Sequence, residues 1–550
     1  MRTQRRVVGT ALVALCLALP SGEDVALTAT GAPIRQTASR PRLLVLIAVD
    51  QFRADYVTWY GAQWTSGLHR LFTQGAVFAR AATPWAVTRT CSGHASIGTG
   101  ALPSSHGLVG NEWYDRDERA FVACTTDPAV QPIGLGGVRA TERHSARWLR
   151  VPTLGDELRR QASTPPRIVS VALKARSAIG LGGRGGDSTV ILWEEDSGTW
   201  ATSSAFASTP WPYVVEHITR HRPEASRGAQ WDRLLPLSRY LHEDQAAGEP
   251  TGGQFPHRLV APAGVPFAAV WDRSPWSDAY VADLAASLVT GAGLGQRDAT
   301  DLLAIGFAAL DYVGHAFGPR SHEVQDLLVR LDQTLGRLFD VLDRSVGPEH
   351  YVVGFTSDHG VALLPEQAAA VVGTVGGRLN PGAVAAAVDL VLRTRLGRRP
   401  FIEAVNGADL YFAPGVLDAI RTDASLAAAV TAAAEAVPGV DRAFLAAELQ
   451  SSASTTDDTL MAMRASYMAG RSGDLTVLPS PHWVVASSGT HHGSAHAYDR
   501  EVPVVFLGSS IAPGRYTGAT PLDVAPTLAA LAGIALPQAQ GVARREVTAR

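Results

Sequence analysis

Six apolar runs punctuate the chain: Leu43–Val49, Ile168–Leu173, Thr189–Trp193, Leu302–Phe307, Tyr351–Phe355 and Val502–Leu507. They are nearly unbroken and rich in β-branched residues, the pattern of strands buried on both faces of a parallel sheet. Between them apolar positions recur at helical spacing. Ser321–Leu342 aligns Val324, Leu327, Leu328, Leu331, Leu335, Leu338 and Leu342 on one face, the stripe a helix buries. Asp278–Thr290 and Gly382–Leu396 read the same way. Strands alternating with helices predict an α/β, doubly wound fold with a mostly parallel central sheet flanked by helices. In such sheets chemistry collects beyond the carboxyl ends of the strands.

Two stretches break this rhythm. Residues 210–276 carry prolines, tryptophans and charges without clear periodicity, and 368–475 are alanine-rich, then Ser/Thr-rich around Ser451–Thr459. They are expected to be cap or flanking insertions, at about 205–276 and 368–475, in a single domain spanning 40–550. Gly180-Leu-Gly182-Gly-Arg-Gly185 matches a dinucleotide-binding pattern by letter, but a strand pattern follows it where phosphate binding needs a helix N-terminus. A turn is expected there.

The N-terminus reads as an export signal. Arg2, Arg5 and Arg6 precede the apolar run Val7–Leu19, which is too short to span a bilayer and is broken by Pro20, Ser21 and Gly22. A signal and leader within residues 1–32, cleaved between Pro20 and Ala32, implies a periplasmic or secreted product without stable membrane insertion. Cys16 lies inside the apolar run. Cys91 and Cys124 alone would survive cleavage, and an even pair in an oxidising compartment is compatible with one disulfide. Hydrophobic residues make up 46% and charged residues 18%, a globular balance that excludes global disorder. A formal charge of −3 gives no electrostatic reason to expect nucleic acid as a partner.

Aspartates and histidines gather at the strand ends. Asp50 follows Leu43–Val49; Asp311 and His315 follow the third-from-last apolar run at a spacing of four, which brings them to one side of a helical turn. Asp358 and His359 follow Tyr351–Ser357, and His492 sits in Gly489-Thr-His-His-Gly493. Carboxylate and imidazole together suit zinc, and six such ligands suit two Zn2+ ions with positions left open for substrate. A nucleophile candidate lies in Thr88-Arg-Thr-Cys-Ser-Gly-His-Ala95. Thr90, Cys91 and Ser92 could each serve there, and a plain helix N-cap is the competing reading. Cys91-Ser-Gly-His-Ala95 lacks the Cys-x-Pro-x-Arg pattern of sulfatases. Lys174 is the one lysine in the chain. With Arg176 it follows a strand, where an ammonium and a planar fork suit phosphoryl oxygens.

These motifs resemble, in order and from about Leu43 to Gly541, the alkaline phosphatase superfamily. Within it they are most similar to the bacterial threonine-nucleophile alkaline phosphatases of the type I phosphodiesterase group. The likeness is carried by Val49-Asp-Gln51, Thr90-x-x-Gly-His94, His106–Asp115, Val171–Arg176, Phe255-Pro-His257, Leu310–Pro319, Thr356–Gly360 and Thr490–Ser494. The resemblance implies hydrolysis of small-molecule phosphate monoesters by double displacement through a phosphothreonine at Thr90. It implies one zinc held by Asp50, Asp358 and His359 and another by Asp311, His315 and His492, with His492 preferred over His491 by its place before Gly493. It further implies that Asn111, Lys174 and Arg176 bind phosphoryl oxygens. A phosphodiesterase or nucleotide pyrophosphatase of the same superfamily is the alternative. Cys91-Ser92 departs from relatives, which mostly carry small residues or proline there.

Overall fold

Strand Leu43–Val49 is buried along its whole length. Leu43, Val45, Ile47 and Val49 enter the core on one face of the sheet, and Leu44, Leu46 and Ala48 enter the core on the other. A strand with no solvent side has no reason to alternate polar residues, which is why its sequence is an unbroken apolar run. The computed structural model describes residues 40–185, 188–195, 197–207 and 211–548. The expected export signal, with Cys16, lies outside the described residues.

Around that strand runs a ten-stranded sheet. Its order is Gly514–Arg515, Ala76–Ala82, Glu501–Gly508, Tyr351–Thr356, Leu43–Val49, Asp301–Phe307, Ile168–Ala172, Ser188–Glu194, Thr199–Ser203 and Pro132–Gly134. The five strands from Tyr351–Thr356 to Ser188–Glu194 are mutually parallel. All six strands read from sequence lie in this sheet. One differs from expectation: Glu501–Gly508 runs antiparallel to both neighbours. Apolar content reports burial rather than direction, and Val502–Leu507 within this strand is as buried as the parallel ones.

Helices cover both faces. His322–Ser345 starts where Ser321 Oγ accepts the Val324 N–H at 3.2 Å, and its leucine stripe is buried as the spacing requires. Pro275–Gly291 and Pro381–Leu396 fill the other two predicted helices, each with proline at its first position, where the missing N–H costs nothing. Only the second half of the expected turn is one: Gly180–Gly182 end helix Ala175–Gly182, and Gly183 and Gly185, at φ +93° and +91°, carry the chain out of it.

The stretch 368–475 does more than flank. Strands Ile402–Asn406, Asp409–Phe412, Leu475–Pro479 and Val440–Leu445 form a second, antiparallel sheet. Helices Pro381–Leu396 and Ala424–Glu435 close over it around a separate core that includes Val384, Val388, Leu410, Phe412 and Val430. The earlier stretch holds helix Pro212–Arg220 and a two-strand pairing of Gln230–Trp231 with His257–Arg258. No helix among the described residues is long and apolar enough to cross a membrane.

Candidate active site

Three adjacent parallel strands end side by side, and each delivers a carboxylate at its carboxyl end. Asp50 follows Leu43–Val49, Asp358 follows Tyr351–Thr356, and Asp311 lies in helix Ala309–Phe317 directly after Asp301–Phe307. Next in the sheet, Ile168–Ala172 leads to Lys174. All four side chains are buried. Carboxylates this close would take up protons or repel one another, so something cationic must hold them if they are to stay ionised. In the protein chain that cation is Lys174, whose ammonium donates to Asp50 Oδ2 at 2.6 Å and to Asp311 Oδ2. The two carboxylates hold the lysine's pKa above its usual value against the opposing effect of burial. Burial, then the charges of Asp311 and Asp358, push Asp50 up to about 8. Against its burial, His315, when it carries its second proton, and Lys174 hold Asp311 well below the usual carboxylate range.

The histidines share one arrangement. His315 Nδ1–H donates to the Thr490 carbonyl at 2.8 Å, His359 Nδ1–H to the Gly360 carbonyl at 3.0 Å, and His492 Nδ1–H to the Thr88 carbonyl at 2.6 Å. Spending Nδ1–H on a backbone carbonyl fixes the tautomer and leaves the Nε2 lone pair free, as metal-ligating histidines do. Those Nε2 atoms face carboxylates. His359 Nε2 lies 3.2 Å from Asp358 Oδ2 and 3.4 Å from Asp50 Oδ1, and none of these three buried atoms has a hydrogen bond. His315 and His492 Nε2 lie 3.1 and 3.7 Å from Asp311 Oδ1. The rings of His359 and His492 stack at 3.5 Å, so the two sets adjoin. Ligand atoms of Asp50, Asp358 and His359 lie within 4.8 Å of one another, as do those of Asp311, His359 and His492 and those of His315, His491 and His492, groupings that fit metal ions better than the groups fit one another.

Thr90 begins helix Thr90–Thr99, whose residues are all buried. Its first turn presses on the loop that carries Asp358. A Cβ on Gly93 would stand 2.5 Å from Asp358 Cβ, so glycine is required for this approach. Asn111 Oδ1 accepts the Cys91 N–H at 2.9 Å, leaving the Asn111 amide N–H groups as donors. Cys91 and Cys124 form a disulfide. Asn111 and Arg176 line one cavity of about 470 Å³, and Arg176 Nε is buried without a hydrogen bond. Lys174 departs from the reading of it as a phosphoryl ligand alone, because its ammonium is committed to two carboxylates.

Four neighbours escaped the sequence reading. Gln51, at φ +67°, sends its backbone N–H to Asp358 Oδ1 and its side-chain amide to Asp311 Oδ1. His94 is fully buried, with Nδ1 3.2 Å from Asp358 Oδ2. Arg89 and His491 meet at 3.3 Å beside His315. Gln51 and His94 lie in motifs that carry the resemblance, and the doubled His491-His492 is a signal too, but none of these patterns says that the side chains reach the site.

Residues 44–499 match the type I phosphodiesterase / nucleotide pyrophosphatase family. Alkaline phosphatase PafA of Elizabethkingia meningoseptica is 29% identical over 525 residues, 92% of this chain and 94% of that protein. Alkaline phosphatase PhoK of Sphingomonas sp is 32% identical over 533 residues, covering 92% and 90%. The crystal structure of wild-type PafA superposes with a TM-score of 0.83 at 28% identity, over 93% of this chain and 99% of that one.

Proposed function

The chain belongs to the type I phosphodiesterase / nucleotide pyrophosphatase family and is an alkaline-phosphatase-like hydrolase; from that premise we propose that it hydrolyses phosphate monoesters to alcohol and inorganic phosphate through Thr90 and two zinc ions. Residues 40–550 serve as one catalytic domain, exported by the N-terminal signal to the periplasm or beyond the cell. Asp50, Asp358 and His359 hold one ion, and Asp311, His315 and His492 hold the other.

The observation that carries this reading is the common state of the three histidines: Nδ1–H spent on a backbone carbonyl, Nε2 directed at an aspartate. Bound zinc supplies Lewis acidity that stabilises alkoxide and leaving-group oxygen. The chain's own residues do the rest. Thr90 Oγ forms a bond to phosphorus as the ester oxygen leaves, and water then cleaves the phosphothreonine in a second displacement. Thr90 is held for this by a buried helix tied to Asn111 and to Cys124. Arg176 and the Asn111 amide face the non-bridging oxygens, and Lys174 ties Asp50 to Asp311 across the two ligand sets.

The test combines metal analysis with trapping. Active protein should contain two zinc ions per chain, lose activity on chelation and regain it with zinc. Acid quench during turnover of a labelled monoester should place phosphate on Thr90. Zinc-free active protein, or label on Ser92, would overturn the assignment.

A further inference from the structure

Arg89 and His491 confront each other in a way that neither can satisfy. The His492 backbone N–H donates to His491 Nδ1 at 2.9 Å. A neutral imidazole carries one N–H, so with Nδ1 accepting, that hydrogen sits on Nε2. Arg89 Nη1, which is always a donor, stands 3.3 Å from this same Nε2. Two donors at that distance do not bond; they are the two sides of a site for an acceptor. Arg89 has no ion pair within 4.0 Å among the described residues; burial pulls its pKa down against the charges of Asp409, Asp499 and Glu112, so the guanidinium is partly dehydrated and without a direct carboxylate contact.

Both residues line the same cavity of about 470 Å³ as Arg176 and Asn111. Glu112 and Asp409 also line it, but neither pairs with either arginine, and Asp409 accepts the Thr476 hydroxyl. The cavity therefore offers two guanidiniums without carboxylate partners, where one transferred phosphoryl group needs one.

Building on the monoester reading above, we infer that Arg89 and His491 form a second anion subsite, which selects phosphate esters whose alcohol portion carries another anionic group, a carboxylate or a second phosphate. Arg176 and Asn111 take the phosphoryl group that is transferred; the Arg89 fork and His491 Nε2–H take the second anion. A bidentate, charge-assisted contact of this kind is among the stronger polar contacts available to a binding site.

Two matched substrates test this with zinc-loaded enzyme. Glycerol 3-phosphate and 3-phosphoglycerate share a skeleton and differ by a carboxylate in place of a hydroxymethyl group. Wild type should favour 3-phosphoglycerate by ~10-fold or more in kcat/KM, which is one charge-assisted contact converted at tenfold per 1.4 kcal/mol. Arg89→Gln should collapse that ratio toward one, chiefly through KM of the charged substrate. Arg89→Lys, which keeps the charge and loses the fork, should retain part of it. No preference in wild type, or equal losses on both substrates in Arg89→Gln, would overturn the subsite. The second result would assign Arg89 to the transferred phosphoryl group. If neither ester is hydrolysed, it is the monoester reading that fails. Calorimetry with inorganic pyrophosphate and inorganic phosphate then decides the subsite alone. Tighter pyrophosphate binding that is lost in Arg89→Gln supports it, and equal binding of the two anions removes it.

Discussion

Gln51 donates its side-chain amide to Oδ1 of Asp311 at 2.6 Å. The same residue's backbone N–H reaches Asp358 Oδ1 at 3.2 Å, so one residue holds a carboxylate from each proposed zinc set. It does so from φ +67°, a left-handed conformation costly for a residue with a side chain. A Cβ on Gly314 would lie 1.9 Å from Gln51 Oε1, so the neighbouring helix has kept a glycine to admit it. Gln51→Leu should lower zinc affinity by ~10-fold or more, as loss of an outer hydrogen bond to a ligand does. Competition with a chromogenic chelator measures it, and unchanged affinity in a folded variant would remove the positioning role.

Lys174 and Arg176 are expected to separate. Lys174→Ala leaves Asp50 and Asp311 buried without their shared cation, which should destabilise the zinc-free protein by about 3–5 kcal/mol. Its turnover should fall on monoester and diester alike. Arg176 has no hydrogen bond or ion pair within the described chain, so Arg176→Ala should leave stability nearly unchanged. It should slow monoesters ~10- to 150-fold more than diesters, the equivalent of one charge-assisted bond of ~1.5–3 kcal/mol. Denaturant melts and paired rate measurements check both. Equal losses on the two ester classes for Arg176→Ala would mean that it does not read the third non-bridging oxygen.

The disulfide closes a separation of 33 residues around helix Thr90–Thr99. Replacing Cys91 and Cys124 together by serine should cost ~2–5 kcal/mol of stability. Thiol titration of denatured, unreduced protein should find neither cysteine free; two reactive thiols would contradict the bond.

Asp272 gives a pH signature away from the nucleophile. It is fully buried, with neither carboxylate oxygen hydrogen-bonded, and burial followed by the charge of Glu195 raises its pKa to about 7 from an unfolded value of 3.8. A raised folded-state pKa means that stability is fully present below pH 3.8 and is lost as pH rises through 7. Asp272→Asn should therefore melt higher than wild type at pH 8, and the gap should close by pH 4. A variant no more stable at pH 8 would mean that Asp272 is ionised and paired in solution.

What was legible in the sequence follows from burial. The parallel strands are covered on both faces, so Leu43–Val49 and its neighbours announce themselves as apolar runs, and the ligands at their ends inherit fixed positions. The second sheet was hidden for the opposite reason. Ile402–Asn406 is only half-buried along its whole length, so the strand period does not stand out, although the covering helix Pro381–Leu396 showed its apolar face at Gly382–Leu396. Lys174 was found by its rarity, but its pairing with Asp50 and Asp311 depends on the order of strands, which a single chain does not print. Gln51, His94 and Arg89 act through contacts hundreds of residues away or through backbone conformation, and no local pattern encodes either.

The central claim is the proposal that the site works with two zinc ions and Thr90 on phosphate monoesters. The most direct measurement is kcat/KM for p-nitrophenyl phosphate and for bis-p-nitrophenyl phosphate at saturating zinc. Cavity-lining Arg176 and Asn111 have donors to offer a third non-bridging oxygen, so the monoester should be preferred by at least the ~10-fold of one charge-assisted bond. Equal rates, or faster cleavage of the diester, would contradict the claim and identify the chain as a phosphodiesterase.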